Sequence, residues 1–483
     1  MEDDAPARNT RAAARRRVGS TSPSGHQQES PIDSARPSRP TSLSPAADAR
    51  RKLAASSINP RSTEYEFGGP AFTGLLIPLL PVIVMALNAL CDADGCPSWR
   101  AVSSWEAALG SVLGAASTSW DLGAFVAYIG WVAWCAGMYK VLPGDVVLGT
   151  ELRTGGRLEY KINAFNTLLF TTASIAAIIN FHGLDMLLYI ADHHLQLITA
   201  AVIVTYAISL YLYVSSYVGD KLLALGGNSG NPFYDFFIGR ELNPRIGSFD
   251  LKYFFELRPG LIGWLLIDAA QAAQQYQTTG AVSDAMVLVL FFHVMYVTDS
   301  LVNESKVLTT MDITTDGFGY MLMQGDIMWV PFLYSLQARY LAVTAPHRSI
   351  GWPGIAATLA LNAVGYWIFR SANAEKDAFR SDPAAPQVAH LKYMTTASGS
   401  KLLVSGWWGT ARHINYFGDW IMSVAWSLPC GITHPIPWFY PIYFAVLLVH
   451  RFYRDEHKCR KKYGADWDEY CRQVQWRIIP YVF

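Results

Sequence analysis

The chain has 483 residues, of which 51% are hydrophobic and only 16% are charged. Soluble domains usually carry about 25% charged residues, so this composition excludes an ordinary soluble enzyme and is typical of a polytopic membrane protein. The 38 Lys and Arg residues balance 38 Asp and Glu residues. The distribution of charge is therefore more informative than its sum.

Residues 1–62 differ from the rest of the chain. They are rich in Arg, Ser, Pro and Ala, as in RAAARRRVGS, and they have no apolar periodicity. Such a segment buries too little apolar surface to offset its chain entropy, so we predict a disordered basic tail. A solvated tail that aids membrane topology is the commoner role of such a terminus, and no nucleic-acid contact is expected from it.

From residue 70 onward, apolar runs recur at the length that crosses a bilayer, which takes about 20 predominantly apolar residues. The sequence therefore predicts an all-α fold, a bundle of about ten transmembrane helices within residues 63–483. The predicted spans lie at about 70–90, 122–141, 163–181, 195–217, 260–276, 284–303, 327–346, 351–370, 416–433 and 436–452.

Lys and Arg in the loops predict the orientation of this bundle. The loops at 139–161 and 218–259 carry several basic residues, whereas those at 182–194 and 277–283 carry none. Basic loops usually face the cytoplasm, so both termini are predicted on the cytoplasmic side. Arg339 and Arg348 lie in a loop that this scheme places on the other side, which counts against it.

Two of the six cysteines, Cys91 and Cys96, fall in the motif CDADGC within a loop predicted to be non-cytoplasmic, where a disulfide is permitted. We predict a small bridge between them, with two free thiols as the alternative. The other cysteines have no metal-ligand spacing, so we expect plain thiols and no metal site. They are Cys135, Cys430, Cys459 and Cys471.

Polar side chains concentrate on the predicted cytoplasmic side of the last quarter of the chain, where neither a GxGxxG motif after a strand nor a P-loop is present. Lys376 and Arg380 are four residues apart, so on a helix they share a face and can grip one phosphate. The segment GTARHINYFGDW at 409–420 adds amide, carboxylate and aromatic side chains, and the region after residue 450 adds more. A dinucleotide needs cations, ribose partners and aromatic walls. Basic residues alone would also be expected from membrane topology, but Asn, Asp and Tyr add nothing to orientation.

A second polar set falls inside predicted spans, where ionisable groups are costly and point to a functional site. His293, Tyr296, Asp299 and Asn303 recur at steps of three and four, which places them on one helical face, with Glu304 beside them. The helix at 260–276 adds polar residues for which interhelical hydrogen bonding is an equal alternative. These are Asp268, Gln271, Gln274 and Gln275.

Several long motifs resemble the sterol reductase family of endoplasmic-reticulum and nuclear-envelope membranes, which includes delta-14, delta-7 and delta-24(28) reductases and the lamin B receptor. The match extends over nearly everything after residue 63, and LLVSGWWG and WSLPCG look most like the delta-14 reductases. One departure is Ile414, where proline is common in the family. The matching stretches are NPFYDFFIGRELNPR, LTTMDITTDGFGYML, FRSANAEKDAFR, LLVSGWWGTARHINYFGDW and RDEHKCRKKYGADWDEYCRQVQWRIIPYVF.

The resemblance implies NADPH-dependent reduction of the C14–C15 double bond of an 8,14-diene sterol in ergosterol-type biosynthesis, by protonation followed by hydride transfer. It implies a multi-pass protein of the endoplasmic-reticulum membrane or the continuous nuclear envelope, with a sterol that enters from the bilayer. The cofactor half would be about 369–483, with a pocket that faces the cytoplasm. For the proton donor we predict Tyr296, tuned by Asp299 or Glu304. The cofactor residues implied are Lys376, Arg380, Trp408, Arg412, Asn415, Arg451, Asp455, Tyr463 and Tyr470.

Three alternatives to this function remain at the level of sequence. A delta-7 sterol reductase is the nearest competitor. Isoprenylcysteine carboxyl methyltransferases, which bind S-adenosylmethionine, resemble the C-terminal part, but the long N-terminal half and the Lys376/Arg380 pair favour the reductase. A non-enzymatic membrane scaffold would keep the fold without the activity.

Overall fold

The computed structural model describes residues 58–91, 96, 110, 114 and 118–483, and all of these belong to the unit Ala54–Phe483. Most of the predicted tail lies outside the described residues. Its last residues, 58–62, are ordered by contacts with the rest of the chain. The Asn59 side-chain amide donates to Lys221 O at 2.8 Å, and the Ser62 backbone N–H donates to Asn228 O at 3.0 Å.

The N-terminal half of the described chain consists of long apolar helices and one antiparallel hairpin between two of them. The Asp121 carboxylate caps the start of α2 by accepting from the Ala124 N–H at 2.7 Å. The hairpin pairs Asp145 with Ile162 at one end and Glu151 with Arg157 at the other. The elements are α1 Gly69–Ala89, α2 Leu122–Val141, β1 Asp145–Glu151, β2 Arg157–Ile162, α3 Ala164–His182, α4 Asp185–Asp192 and α5 His194–Ser215.

The middle of the chain alternates two long helices with short, irregular elements. The elements are α6 Pro232–Ile238, β3 Arg245–Ile246, β4 Phe249–Asp250, α7 Leu251–Leu257, α8 Pro259–Thr279, α9 Asp284–Val302, a 3-10 turn Glu304–Thr309, α10 Met311–Thr314, α11 Tyr320–Gln324, a π-turn Gly325–Trp329, α12 Val330–Leu333 and α13 Leu336–Val343. In this region the predicted span at 327–346 is not one regular helix, because the chain forms several short helical pieces there, and whether they cross the membrane together stays a prediction. Pro331 lacks the N–H that would continue the helical ladder, and a π-turn immediately precedes α12.

The C-terminal part contains the longest helix and the last of three small hairpins. The elements are α14 Gly351–Ser381, β5 Tyr393–Thr395, β6 Lys401–Leu403, α15 Trp407–Thr410, α16 Ile414–Ser427, 3-10 turns Leu428–Cys430 and Ile436–Trp438, α17 Phe439–Tyr463 and α18 Ala465–Gln473. Helix α14 runs well past the predicted span at 351–370, so Lys376 and Arg380 share one continuous helix.

Five described helices are long and apolar enough to cross a membrane: α1, α2, α3, α5 and α9. They coincide with five of the ten predicted spans, and the chain is therefore mostly helical and suited to a membrane. Helix α8 is long enough but carries Asp268 and several glutamines. The predicted spans at 351–370, 416–433 and 436–452 fall in α14, α16 and α17, and a count of about ten spans stays a prediction. The all-α class describes the body of the fold, while the three hairpins lie in its connections.

Helices α14 and α16 pack at backbone distance because each has a glycine at the crossing. A Cβ on Gly365 would lie 2.7 Å from Gly418 O, and a Cβ on Gly418 would lie 2.7 Å from Gly365 O. Small residues permit such close approach between membrane helices. This contact fixes the polar end of α14 beside the start of α16.

The cysteine predictions can be checked directly. Cys91 and Cys96 form a disulfide, so the predicted bridge is confirmed. Cys135, Cys430, Cys459 and Cys471 are free. No group of three or more metal-ligating side chains is found within the described ranges.

Candidate functional site

A cavity of about 420 Å³ lies between the end of α14, the β5–β6 hairpin, the start of α16 and the end of α17. This size falls in the usual range for small-molecule and cofactor pockets. Among the lining residues that the structure describes, six are Lys or Arg and one, Asp455, carries a carboxylate. The cavity therefore favours an anionic ligand. The six basic residues are Lys376, Arg380, Lys401, Arg412, Lys458 and Lys462.

Lys376 lies on an aromatic surface at the side of this cavity. Its Nζ is 3.8 Å from the centroid of the Trp408 ring, a geometry that stabilises the cation. Burial, with the charge of Arg380 as a second cause, lowers the pKa of Lys376 to about 8. An anion bound beside it would favour the protonated form.

The position of Trp408 follows from the turn that begins α15. Gly406 has a left-handed φ of 64°, and a Cβ there would lie 2.5 Å from a Glu375 carboxylate oxygen. That carboxylate accepts from the Trp407 N–H at 2.9 Å, and the Trp408 indole donates to Ala372 O at 2.7 Å. These bonds hold the ring against α14.

The C-terminal segment fixes the residues just before α16. Backbone N–H groups of Arg412 and His413 donate to Trp476 O at 2.9 Å and Arg477 O at 2.8 Å. The Arg412 guanidinium also donates to Val474 O at 2.7 Å. The segment after residue 473 thus positions Arg412 and His413 at the start of α16.

His413 connects α16 to α17 across the cavity wall. Its Nε2 lies 3.1 Å from an Asp455 carboxylate oxygen. Burial raises the pKa of Asp455, but the hydrogen bond from His413 and the nearby Lys376 and Lys458 charges lower it more, so its pKa falls below the ordinary value. Asp455 is therefore ionised at neutral pH and suited to accept hydrogen bonds from hydroxyl groups.

Five buried polar atoms on this wall have no hydrogen-bond partner in the described part of the chain. They are Arg412 Nε, His413 Nδ1, Asn415 Oδ1, Lys458 Nζ and Trp467 Nε1. Unpaired buried polar groups are costly, and such groups in a cavity point to a missing ligand. Cationic donors, an amide, a carboxylate and aromatic walls are the partners that the phosphates, riboses and rings of a dinucleotide need. The residues present therefore fit a phosphorylated dinucleotide.

Eight of the nine predicted cofactor residues line this one cavity, and Arg451 does not. Arg451 pairs instead with Asp312, with Nη2 2.8 Å from Oδ2. It is one turn of α17 before Asp455. The eight that the structure brings together are Lys376, Arg380, Trp408, Arg412, Asn415, Asp455, Tyr463 and Tyr470.

Sequence reasoning missed some residues of the cavity wall. Lys458 and Lys462 fall at steps of three and four after Asp455, so helical periodicity could have found them. Trp467, which the sequence had already indicated among the aromatic residues after residue 450, lies on α18 and stacks against Tyr463 at 6.2 Å between ring centroids. Lys401 comes from the β5–β6 hairpin and has no comparable signal.

The predicted proton donor Tyr296 lies in an aromatic cluster deeper in the bundle. Its ring centroid is 5.0 Å from Trp426 and 6.2 Å from Trp264. The cluster continues through Tyr440, which stacks on Trp426 at 5.3 Å, to Tyr334 at 4.3 Å from Tyr440. The Tyr296 hydroxyl makes no hydrogen bond to another described residue.

The two carboxylates predicted to tune Tyr296 have other hydrogen-bond partners. Asp299 accepts from the Tyr366 hydroxyl at 3.1 Å and lies 3.6 Å from Arg370. Glu304 is fully buried and pairs with Arg258 at 2.7 Å.

Glu304 also accepts from the Tyr253 hydroxyl and from the Ala164 N–H. These hydrogen bonds connect Glu304 to three different segments of the chain, which is typical of a residue with a structural role. The catalytic assignment of Tyr296, Asp299 and Glu304 stays a prediction.

Asp419 is a buried carboxylate that the catalytic prediction did not use. It follows Asn415 by one turn of α16, and its Oδ1 has no partner among the residues that the structure describes. It lies within range of an electrostatic interaction with Tyr296. One helix thus carries Asn415 on the cavity wall, Asp419 one turn further, and Trp426 in the aromatic cluster.

These features define a mostly helical membrane protein with a cationic dinucleotide-type cavity, one wall of which is formed by a helix that also reaches an aromatic cluster. The family model "Ergosterol biosynthesis ERG4/ERG24 family" matches residues 61–483. The chain belongs to this family, and the predicted resemblance to sterol reductases is confirmed.

Several relatives have names that state an activity. "Delta(14)-sterol reductase erg24" of Schizosaccharomyces pombe is 48% identical over 89% of this chain and 100% of its own length. The Delta(14)-sterol reductase of Ascobolus immersus is 48% identical over 87% of this chain and 99% of its own length. "Delta(14)-sterol reductase LBR" of Gallus gallus is 48% identical over 87% of this chain and 64% of its own length.

Proposed function

We propose that this chain reduces the C14–C15 double bond of an 8,14-diene sterol with NADPH. The relatives' names and their identity of 40–48% over most of the chain support the reaction. The observation that carries the cofactor proposal is the cationic cavity with unpaired buried donors on its wall. The sequence has neither a P-loop nor a GxGxxG motif after a strand, so the phosphates of a dinucleotide need a different binding site.

The cavity residues have complementary tasks in this proposal. Lys376, Arg380 and Arg412 neutralise phosphates, while Asn415 and Asp455 bind ribose hydroxyls. Trp408, Tyr463 and Tyr470 provide the walls. The additional cations Lys401, Lys458 and Lys462 give the cavity enough positive charge for a cofactor with three phosphate groups. Arg451 acts indirectly, by holding Asp312 beside α17.

When bound, NADPH supplies the hydride. The chain itself must supply a proton, because an alkene accepts hydride only after protonation makes it electrophilic. Protonation at C15 places positive charge at C14, which is tertiary and allylic. Together one proton and one hydride add two hydrogen atoms across the double bond.

Tyr296 is the proposed proton donor, with Asp299 or Glu304 as the tuning group. The free Tyr296 hydroxyl supports the first part of this assignment, since it has no competing partner among the described residues. The unpaired oxygen of Asp419 makes it a further carboxylate able to hold a proton near Tyr296. General acid catalysis of this kind typically contributes about 10²- to 10⁴-fold in rate.

Exclusion of water is the second task of the aromatic cluster. A carbocation at C14 would be captured by water if the surroundings were wet, so a dry wall protects the intermediate. Trp264 and Trp426 are fully buried, lie next to each other and both pack against Tyr296. In this proposal the sterol enters from the lipid of the endoplasmic-reticulum membrane or the nuclear envelope. The cavity and both termini face the cytoplasm.

The test is turnover by purified protein in detergent. The protein is incubated with an 8,14-diene sterol in the presence and absence of NADPH, and loss of the conjugated-diene absorbance is followed. We expect a product heavier by two hydrogen atoms only when NADPH is present. No conversion of the 8,14-diene, with conversion of a 7-ene sterol instead, would assign the chain to delta-7 reduction.

Thermal stabilisation separates the remaining alternatives, because only a ligand that binds the folded state raises the melting temperature. We expect stabilisation by NADPH and none by S-adenosylmethionine. Stabilisation by S-adenosylmethionine alone would favour a methyltransferase. Stabilisation by neither would favour a scaffold without cofactor.

A further inference from the structure

A second cavity, of about 350 Å³, lies between helices α2, α3, α4 and α8. It is on the other side of α8 from the aromatic cluster. Gly263 lines this cavity, whereas the next residue, Trp264, packs against Tyr296 and Trp426. The second cavity is therefore distinct from both the dinucleotide-type cavity and the candidate catalytic cluster.

The wall of the second cavity is apolar, and none of its lining residues within the described ranges is charged. Most of its polar side chains bond within the protein. Tyr128 donates to Ile327 O at 2.7 Å, and the Trp131 indole donates to Pro259 O at 3.1 Å. The Trp134 indole donates to Thr171 Oγ1 at 3.0 Å. A cavity with such walls attracts hydrocarbon and not water.

One polar group at the end of the cavity has no such bond. The Tyr189 hydroxyl makes no hydrogen bond to the residues described by the structure, and the ring is held by stacking on His193 at 4.0 Å. The hydroxyl lies near the start of α2, because a Cβ on Gly123 would be 3.0 Å from it and 3.0 Å from Asp121 Oδ1. The free hydroxyl is thus at a helix end, where a membrane span meets its polar surface.

The second cavity also has an opening. Ala127 and Gly130, both on its wall, are exposed on α2, which is long and apolar enough to span a membrane. A ligand can therefore enter sideways from lipid. Its body must be apolar, and one polar group at its end must pair with Tyr189.

We propose that the second cavity binds a sterol, with the ring system in the apolar space and the hydroxyl paired with Tyr189. A sterol has one hydroxyl at one end of a rigid apolar body, which matches this wall. A lipid acyl chain offers Tyr189 only an ester carbonyl, which accepts but cannot donate, and it loses more conformational freedom on confinement than a rigid ring system does. This site does not depend on the proposed turnover, because binding there involves neither NADPH nor Tyr296.

Photolabelling tests the proposal without any need for activity. The protein in detergent is labelled with a diazirine sterol in the absence of NADPH, digested, and mapped by mass spectrometry. We expect labelled peptides from α2, α3 and α4, and we expect unlabelled sterol to compete. Label confined to peptides of α9 and α16 would overturn the proposal, since it would reveal only a site at the aromatic cluster.

Two variants and one matched control sharpen the test. Gly130→Leu fills the cavity, and its Cβ meets no atom within 4 Å, whereas Gly137→Leu makes the same change on α2 away from the wall and is equally unobstructed. We expect label in α3 to fall at least about fivefold in Gly130→Leu and to persist in Gly137→Leu. Tyr189→Phe removes one hydrogen bond, which corresponds to about fivefold weaker labelling.

The competing occupant is an acyl chain. A diazirine phosphatidylcholine is used as the comparison probe. Equal labelling of α3 by this probe, with no competition by sterol and no effect of Tyr189→Phe, would assign the cavity to ordinary bilayer lipid and overturn the proposal.

Discussion

Lys376→Met tests the cofactor cavity most directly, because it removes one cation and keeps a long side chain beside Trp408. Lys376 is held 3.8 Å from the Trp408 centroid, so its charge is fixed in position before the ligand binds. A hydrogen bond to a charged group contributes about 1.5–3 kcal/mol, and its loss should weaken NADPH binding about 10- to 150-fold. Binding is measured by NADPH titration of the melting temperature.

The same residue predicts a pH dependence. Its pKa of about 8 means that about nine-tenths of the side chain is protonated at pH 7 and about one-tenth at pH 9. Only the protonated form attracts phosphate, so NADPH affinity should fall by up to about tenfold as the pH rises from 7 to 9. The charge of the cofactor phosphates changes little between pH 7 and pH 9, because the second pKa of a phosphate group is about 6. Lys376→Arg keeps its charge and should abolish the pH dependence.

Lys306→Met is the matched control. Lys306 is an exposed cation 3.7 Å from Asp377, the residue after Lys376, and it does not line the cavity. Exposed ion pairs contribute little, so this variant should bind NADPH like the unmodified chain. Equal affinities in Lys376→Met, Lys306→Met and the unmodified protein, with no pH trend, would refute the cavity as the NADPH site.

Three further variants address the rest of the site. Asn415→Asp places a second carboxylate on the wall of the dinucleotide-type cavity. It should weaken NADPH binding about 100-fold in the same titration, because a carboxylate close to the cofactor phosphates brings like charges together at a cost of several kcal/mol. Tyr296→Phe should lower kcat by about 10²- to 10⁴-fold with unchanged NADPH affinity, and near-normal turnover would exclude it as the proton donor. Gly365→Ala inserts a Cβ against Gly418 O and should cost about 1–3 kcal/mol of stability in a thermal melt. Gly74→Ala, whose Cβ meets no atom within 4 Å, is its control.

Local periodicity predicted the parts of this molecule that depend on neighbours in sequence. The spans at 70–90, 122–141 and 284–303 agree with α1, α2 and α9 within a residue or two, because a long apolar run in a bilayer has few alternatives to a helix. The spacing of Lys376 and Arg380 likewise placed both on one helix face.

Contacts between distant segments were beyond such reasoning. Nothing near Arg451 in the sequence indicates that Asp312, 139 residues earlier, binds its guanidinium and holds it away from the cavity. Tertiary packing also determines that the β5–β6 hairpin brings Lys401 to the cavity wall. The π-turn before α12 likewise depends on packing and not on the local sequence pattern. Glu304 is a second example. It follows a polar helical face in the sequence, and nothing in that pattern predicts its ion pair with Arg258.

Helix α16 connects the two environments that the proposed reaction needs. It begins at Ile414, with Asn415 beside the cations of the cavity, and near its end carries Trp426 in the aromatic cluster, at a distance of about 16 Å from Asn415 along the axis at 1.5 Å per residue. A reductase of this kind must hold a highly charged cofactor at one end and exclude water at the other. A single rigid helix, pressed onto α14 at Gly418, fixes the separation between these two environments better than a loop could. A change that loosens this helix contact should therefore reduce turnover even when both ends of α16 keep their side chains.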